Sequence, residues 1–160
     1  MKTEEREQLS AAEQNAEGWS DTITAAWEAY GFCCEGGEGK HLSREAKQVL
    51  KEHGYDGTNH DHVAEGIEET MREAALSVEV RSDWHDPSCG PAIPEEFCIL
   101  LSTGGPALRV MGELDEWAEP SRCWLEHQDW GTPWTQYFSR SAERATALRW
   151  FASLFYYGKG

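Results

Sequence analysis

Histidine and carboxylate side chains come together at one point of the chain, in the sequence His60-Asp61-His62. Imidazole and carboxylate groups are common zinc ligands. Residues two positions apart on a helix point in different directions, so a metal site would need both histidines in a loop. The spacings typical of metal sites, HExxH or paired CxxC, do not occur. We therefore expect a solvated loop here, with no metal and no other cofactor.

A second group with chemical potential is Ser102-Thr103-Gly104-Gly105, which follows a predicted buried strand in the manner of a nucleophile elbow. The GxSxG pattern is absent, and the residues that follow predict a strand where the elbow needs a helix. A hairpin turn is the simpler interpretation. We expect no enzymatic activity; the alternative is a small hydrolase or transferase that uses cysteine or histidine near this Gly-Gly-Pro turn.

The five cysteines are odd in number and form no CxxC pair, which predicts the reduced thiols of a cytosolic protein. Cys33 and Cys34 are adjacent, Cys98 and Cys123 lie in apolar strand-like runs, and Cys89 lies in a loop with proline and glycine. No signal-peptide pattern begins the chain, and no apolar run is long enough to span a membrane. We expect a cytoplasmic protein without a membrane partner.

The chain is strongly acidic, with 29 acidic residues, 14 basic ones and a formal net charge of -15. Residues 1–39 hold nine of the acids and only two of the bases. A folded anionic surface attracts cationic surfaces and repels nucleic acid and most membranes. We therefore expect a basic protein surface as partner, with no direct nucleic-acid binding. The predicted contact is an acidic face on the first and third helical regions, formed by Glu4, Glu5, Glu7, Glu13, Glu17, Asp21, Glu28, Glu65, Glu68, Glu69 and Glu73.

Three interpretations of this acidic face stay open from the sequence alone. On most acidic helices such carboxylates serve only to keep the protein soluble. The alternative is imitation of a polyanion, because carboxylates spaced along a rod can occupy a groove built for DNA phosphates. The same face would also suit simple docking on a basic protein.

Aromatic side chains crowd the C-terminal half, and the chain holds eight tryptophans in all. Most are expected in a core, because tryptophan supplies a large buried area and an N–H that needs a partner. A domain of this size can hardly bury all eight. Exposed aromatic rings rimmed by carboxylates are typical of protein-binding surfaces. We predict partner-binding roles for Trp117, Trp130 and Trp134. One alternative is a homodimer joined through the aromatic side chains of the C-terminal half.

Apolar periodicity predicts helices in residues 1–75, the acidic part of the chain. Residues 3–30 predict a helix in two pieces separated at Gly18, with Gly31 placed to end it. Ser43 is a suitable N-cap for a short second helix. A third helix is expected from about Asp61 to Ala75.

The pattern changes period after residue 75 and indicates strands. The first predicted strand alternates strictly between apolar and polar residues, which is typical of a half-buried strand. Short connections between the strands favour an antiparallel meander. The four predicted strands are residues 76–81, 97–103, 107–114 and 122–129.

Ser141 is a suitable N-cap for a final helix. Helices, then strands, then one helix indicate an α+β fold. We predict a helical N-terminal half and, in residues 76–160, a four-stranded antiparallel sheet with the C-terminal helix packed on it. The length of 160 residues predicts a single domain over residues 1–160.

Two strings in the second half are distinctive: STGGPA, followed by an arginine two residues later, and QDWGTPWT, followed by a tyrosine two residues later. On these strings, residues 76–157 resemble a family of small proteins carried by bacteriophages, plasmids and integrative elements. The resemblance supplies no catalytic residue. It implies a mobile-element origin, where small acidic proteins such as anti-CRISPR and anti-restriction proteins counter host defences.

The leading hypothesis is a non-enzymatic inhibitor of a bacterial defence system, specifically an anti-CRISPR protein in the cytoplasm of the host cell. It would bind a basic surface of an RNA-guided interference complex and block target DNA binding or nuclease recruitment. The alternatives are the small hydrolase or transferase named above and a homodimeric accessory protein of phage assembly.

Overall fold

The computed structural model describes residues 9–38, 41–139 and 141–158, in which a helical layer lies against one face of an antiparallel sheet. Residues 3–8 of the predicted first helix, and with them Glu4, Glu5 and Glu7, lie outside the described residues. The helices are α1 (Ala11–Cys34), α2 (Arg44–Glu52), α3 (His60–Glu73) and α4 (Ala142–Ser153). The strands are β1 (Ser77–Arg81), β2 (Glu96–Ser102), β3 (Ala107–Leu114), β4 (Pro120–Gln128) and β5 (Thr135–Tyr137).

The first helix, α1, is continuous, so the predicted break at Gly18 is wrong, as is the predicted end at Gly31. The helix begins with a capping box: the Ser10 hydroxyl accepts the Glu13 N–H at 3.2 Å, and the Glu13 carboxylate accepts the Ser10 N–H at 3.1 Å. Glycine inside a helix costs about 1 kcal/mol. Full burial of one large apolar side chain, such as Ile23, contributes about 1.5–3 kcal/mol and outweighs that cost.

The serine caps of α2 and α4 are confirmed. The Ser43 hydroxyl accepts the Ala46 N–H at 3.1 Å, and the Ser141 hydroxyl accepts the Arg144 N–H at 3.2 Å. Each cap satisfies one of the backbone N–H groups that a helix leaves free at its start. The C-terminal helix α4 lies against β4, so it packs on the sheet as predicted.

The sheet has five strands in the described residues, in the spatial order β1-β2-β3-β4-β5. The antiparallel meander and the α+β class are confirmed, but the predicted number of four strands is wrong. The additional strand, β5, pairs with β4 through Leu125 opposite Tyr137 and His127 opposite Thr135. It follows Pro133 and has only three residues, which is too short for an alternation to be visible in the sequence.

The first strand is more exposed than its alternation predicts. Val78 and Val80 pair in register with the buried residues Ile99 and Phe97, so all four side chains project on the same face. Val80 is nevertheless 48% exposed. The helices lie mainly against β3 and β4, so the helical layer leaves the edge of this face uncovered at β1.

The core lies between the helical layer and this face of the sheet. Its largest fully buried side chains come from α1, α3, α4, β2 and β3, and Leu125 of β4 is also buried. The fully buried ones are Ile23, Val63, Ile67, Phe97, Ile99, Leu108, Val110 and Phe151. The residues that alternate with these along β2, β3 and β4 form the opposite face, which we call the open face. Its central row is Cys98, Met111 and Trp124.

Candidate partner-binding surfaces

The carboxylates that α1 contributes to the predicted acidic face lie on one side of the helix. At about 100° per residue, Glu13, Glu17, Asp21 and Glu28 fall within an arc of about 80°. The buried residues of α1, such as Ile23, are centred on the other side. α1 therefore carries a row of carboxylates along its solvent side, which we call the α1 acidic row.

Three of these four carboxylates also serve the fold. Glu13 completes the capping box, Asp21 forms an ion pair with Arg144 of α4, and Glu28 accepts the Ser43 N–H at 3.3 Å. The carboxylate of Glu17 is exposed and has no hydrogen bond or ion pair with another described residue. Glu17 is thus the member of the row most available to a partner.

The carboxylates of α3 are divided in the same way. Arg72 binds Glu68 and Glu69, each at 2.8 Å, so this part of the predicted face is locally neutralised. Glu65 and Glu73 are exposed, and neither forms an ion pair or hydrogen bond within the described part of the chain. Among the acidic-face residues that the structure describes, these two and Glu17 are the ones whose charge has no partner inside the fold.

The three tryptophans of the predicted aromatic surface do not form one patch. Trp117 lies in the turn between β3 and β4 and is 72% exposed. Trp130 is 85% exposed but follows β4, at the opposite end of the sheet, where its ring lies against Gly105. Trp134 is half-buried over the open face. A partner that binds one end of the sheet would therefore contact only one of the first two.

Trp134 belongs to a charged cluster on the open face. The Arg109 guanidinium lies over its ring, with 4.0 Å from Cζ to the ring centroid. The same guanidinium donates two hydrogen bonds, of 2.9 and 2.7 Å, to Glu126 Oε1, and the Trp124 indole N–H donates to Glu126 Oε2 at 2.9 Å. Cation–π contact and charge-assisted hydrogen bonds stabilise this cluster, so Trp134 has a structural role.

A groove of about 1240 Å³ opens at the end of the sheet where β1 ends and β2 begins; we call it the sheet-end groove. Its walls are the loop of residues 82–95 and the end of β3 with the turn that follows. Trp84, Ile93 and Leu114 supply apolar surface, and the Trp84 side chain is fully exposed. Six carboxylates line the groove: Asp83, Glu95, Glu96, Glu113, Asp115 and Glu116.

The sheet-end groove is anionic because six carboxylates line it with one guanidinium, that of Arg81; Glu113 also lies 3.9 Å from the guanidinium of Arg122. Arg81 Nε donates to Glu96 Oε2 at 2.6 Å. In the adjoining loop, the Ser88 N–H and hydroxyl both bond the Asp86 carboxylate, which lowers the pKa of that group and orders the chain before the groove's apolar wall. Trp84 was not among the predicted site residues, because the loop has no periodicity from which its exposure follows.

The histidines and cysteines are distributed over several elements, and the predicted solvated loop at His60-Asp61-His62 is wrong, because these residues form the first turn of α3. His62 is exposed, whereas His60 lies with its ring centroid 5.5 Å from that of Tyr55. Within the described residues, no group of three or more His, Cys, Asp or Glu side chains is placed to hold a metal ion. Burial raises the pKa of the Cys98 thiol, and burial raises that of Cys123 to about 11.

The other three cysteines and Ser102 differ in their exposure and contacts. Cys33 is buried, and burial raises its pKa, while Cys34 and Cys89 are exposed thiols. The Ser102 hydroxyl accepts a hydrogen bond from the Asn15 side chain at 3.1 Å, which ties the end of β2 to α1. Ser102 therefore contributes to the packing of the helical layer on the sheet.

Comparison with family models, with curated proteins and with solved structures gives no match. The resemblance of residues 76–157 to proteins of mobile elements therefore stays a prediction. No helix in the described part of the chain has the length and apolar character that crossing a membrane requires.

Proposed function

We propose that this protein is a stoichiometric inhibitor of a bacterial defence system, and specifically an anti-CRISPR protein. It binds a lysine- and arginine-rich surface of an RNA-guided interference complex in the bacterial cytoplasm. Binding blocks either the target DNA or the nuclease that the complex recruits. The observation that carries this proposal is the α1 acidic row, on a chain with a net charge of -15.

The spacing of the α1 acidic row supports imitation of DNA. Glu13, Glu17 and Asp21 follow one another at intervals of four residues, or about 6 Å along the helix axis. Successive phosphates of one DNA strand are about 3.4 Å apart along the duplex axis, so this interval is close to the spacing of every second phosphate. Lysine and arginine side chains placed to contact a DNA backbone would therefore find a carboxylate in place of about every second phosphate.

The state of the cysteines supports binding over catalysis. A thiolate is the nucleophile in cysteine chemistry, and reactive cysteines have a lowered pKa. Burial raises the pKa of both Cys98 and Cys123, so these thiols are protonated at neutral pH. The alternative of a Cys-dependent hydrolase or transferase has no supporting feature at these two positions.

The test uses the three acidic-face carboxylates that have no partner within the described residues. We expect the combined variant Glu17→Gln, Glu65→Gln, Glu73→Gln to bind a purified interference complex at least about tenfold more weakly, because it loses three charge contacts without disturbing internal ion pairs. Most of the loss of affinity should appear as a slower association rate. Raising the salt concentration should reduce the difference in affinity between the variant and the unaltered protein. Binding is measured by surface plasmon resonance at several salt concentrations.

The matched control removes the same charge elsewhere, in the variant Glu45→Gln, Glu52→Gln, Glu119→Gln. We expect its affinity to stay within about twofold of the unaltered protein. Equal losses in both variants would show that net charge alone drives binding, and would contradict a specific acidic face. A DNA-cleavage assay at graded doses separates the inhibitor, which acts at a molar ratio near one, from an enzyme, which acts at far lower dose.

A further inference from the structure

The outer edge of β1 is free. β1 is the first strand of the sheet, and no described residue pairs with its outer side. The side chains from Val78 to Arg81 are all exposed. The backbone N–H and C=O groups along a free edge can pair with a further extended chain.

Native proteins usually protect such edges, and β1 has little of this protection. Prolines, charged side chains (lysine above all), bulges and covering helices are the common devices, and of these β1 has only the charges of Glu79 and Arg81. β1 contains neither proline nor lysine, and its register with β2 is regular over all five residues. On the helix side of the sheet, Leu76, Val78 and Val80 leave apolar surface exposed.

The two faces of β1 differ in chemistry. Val78 and Val80 project on the helix side, whereas Ser77, Glu79 and Arg81 project on the open face. The Arg81 charge is taken by Glu96, while Glu79 has no ion pair with a described residue. A strand added beside β1 would therefore meet apolar groups on one face and a free carboxylate on the other.

The sheet-end groove continues this surface beyond Arg81. Asp83 and the fully exposed ring of Trp84 follow Arg81 by two and three residues. Carboxylates beside an exposed indole bind lysine and arginine well, through charge and through cation–π contact. The surface thus has an edge for backbone pairing and, at its end, a place for cationic side chains.

We propose that β1 and the sheet-end groove bind an extended cationic segment of a partner protein, which adds to the sheet as a sixth strand. In this segment apolar residues alternate with lysine or arginine. The apolar residues lie beside Val78 and Val80, and the basic residues lie beside Glu79 and continue toward Asp83 and Trp84. The site is separate from the carboxylates of α1 and α3 and does not depend on them.

Charge favours this occupant over a second copy of the chain. Each copy carries a net charge of -15, so two copies repel one another. A symmetric antiparallel pairing centred on β1 would also place Glu79 opposite Glu79 of the other copy, and like charges directly opposite are destabilising. A cationic strand has neither disadvantage.

The test uses a short synthetic peptide in which valine and lysine alternate, with a fluorescent label for anisotropy. We expect saturable binding to the full chain, with new amide-exchange protection in β1. Glu79→Lys should weaken binding at least about tenfold, because an attractive contact becomes a repulsive one. Trp84→Ala should weaken it about threefold or more through the lost cation–π contact. Both side chains are exposed, and circular dichroism checks that each variant folds.

Matched controls separate strand addition from general attraction between opposite charges. Glu52→Lys makes the same change of charge on α2 and should leave binding within about twofold. The peptide with glutamate in place of lysine, and one with proline in place of valine, should not bind. Equal weakening by Glu52→Lys, or binding without protection in β1, would overturn the proposal. It would also fall if the protein alone sedimented as a dimer that Val80→Lys converts to monomer, because β1 would then pair with a second copy.

Discussion

Arg109 contacts two neighbouring side chains on the open face and gives both a structural role. Its guanidinium is held by Glu126 on one side and by the ring of Trp134 on another, and all three side chains are half-buried. Breaking a shielded ion pair by removing one partner leaves a charge without compensation. Trp134 shields that pair, so its aromatic ring contributes to the sheet whether or not a partner binds. No described contact gives the ring of Trp117 a comparable structural role.

Position 112 is occupied by glycine for a steric reason, because it has no room for a side chain. A Cβ atom added to Gly112 would overlap the Phe97 ring and the backbone oxygen of Arg122. The Phe97 ring lies in a filled core and has little room to move, and the Arg122 oxygen is held in place by the β3–β4 pairing. We expect Gly112→Ala to lower the free energy of unfolding by about 2 kcal/mol or more, measured by urea denaturation.

Gly105→Ala is the matched control for this prediction. Its added Cβ would overlap the ring of Trp130, which is on the surface and can rotate away. We expect a loss of less than about 1 kcal/mol. Similar losses in both variants would mean that crowding by a fixed backbone atom is not what distinguishes Gly112.

At the scale of elements, α1 is less stable than its length allows. Gly18 lies inside the helix, and nothing lies within 4 Å of the position that its Cβ would take. Alanine loses less backbone freedom on folding than glycine does. We therefore expect Gly18→Ala to raise the free energy of unfolding by about 0.5–1 kcal/mol, measured by urea denaturation. Gly36→Ala is the control: its surroundings are also open, but its φ of 73° disfavours alanine, so that variant should be less stable.

Elements with a local signal were predictable from the sequence. The caps Ser43 and Ser141 act through residues three positions away, and the strands β2, β3 and β4 are long enough for their pattern to be visible. The continuity of α1 through Gly18 was not predictable, because it depends on burial against other elements. For the same reason the alternation of β1 gave its two faces but not its exposure.

The sequence predicts which residue types form the candidate surfaces, but not how those residues are arranged in the fold. The sequence gives the carboxylates of α1 and α3, but not which of them are used internally. Asp21 meets Arg144, which lies on the last helix, and Trp117 and Trp130 are separated by the full length of the sheet. The sheet-end groove combines residues from β1, a loop and the end of β3, and no segment of the sequence indicates that combination.

At the scale of the whole molecule, two clusters of carboxylates lie in different surroundings. The α1 acidic row lies on a helix, with regular spacing along one axis. The sheet-end groove is concave and adds apolar and aromatic surface to its carboxylates. A rod of charge suits a surface that binds a nucleic-acid backbone, whereas a groove beside a free strand suits an extended peptide. A protein with both could hold two parts of one complex.

The helical part and the sheet part share one core, which predicts that they unfold together. One cluster of buried residues contains Ile23 and Ile67 from the helices and Phe97 and Val110 from the sheet. We expect far-UV circular dichroism and tryptophan fluorescence to give the same urea midpoint. Fluorescence reports chiefly on the sheet part, because five of the eight tryptophans lie in the strands and the loops next to them.

Two large-to-small variants, one in each part, make this prediction sharp. Ile67 in α3 and Val110 in β3 are both fully buried. Ile67→Ala should cost about 2–5 kcal/mol, and Val110→Ala should cost somewhat less because valine is smaller. If the two parts fold as one unit, each variant lowers the midpoint seen by both probes to the same extent. Two independent units would instead give two transitions, with Ile67→Ala moving only the one that circular dichroism assigns to the helices.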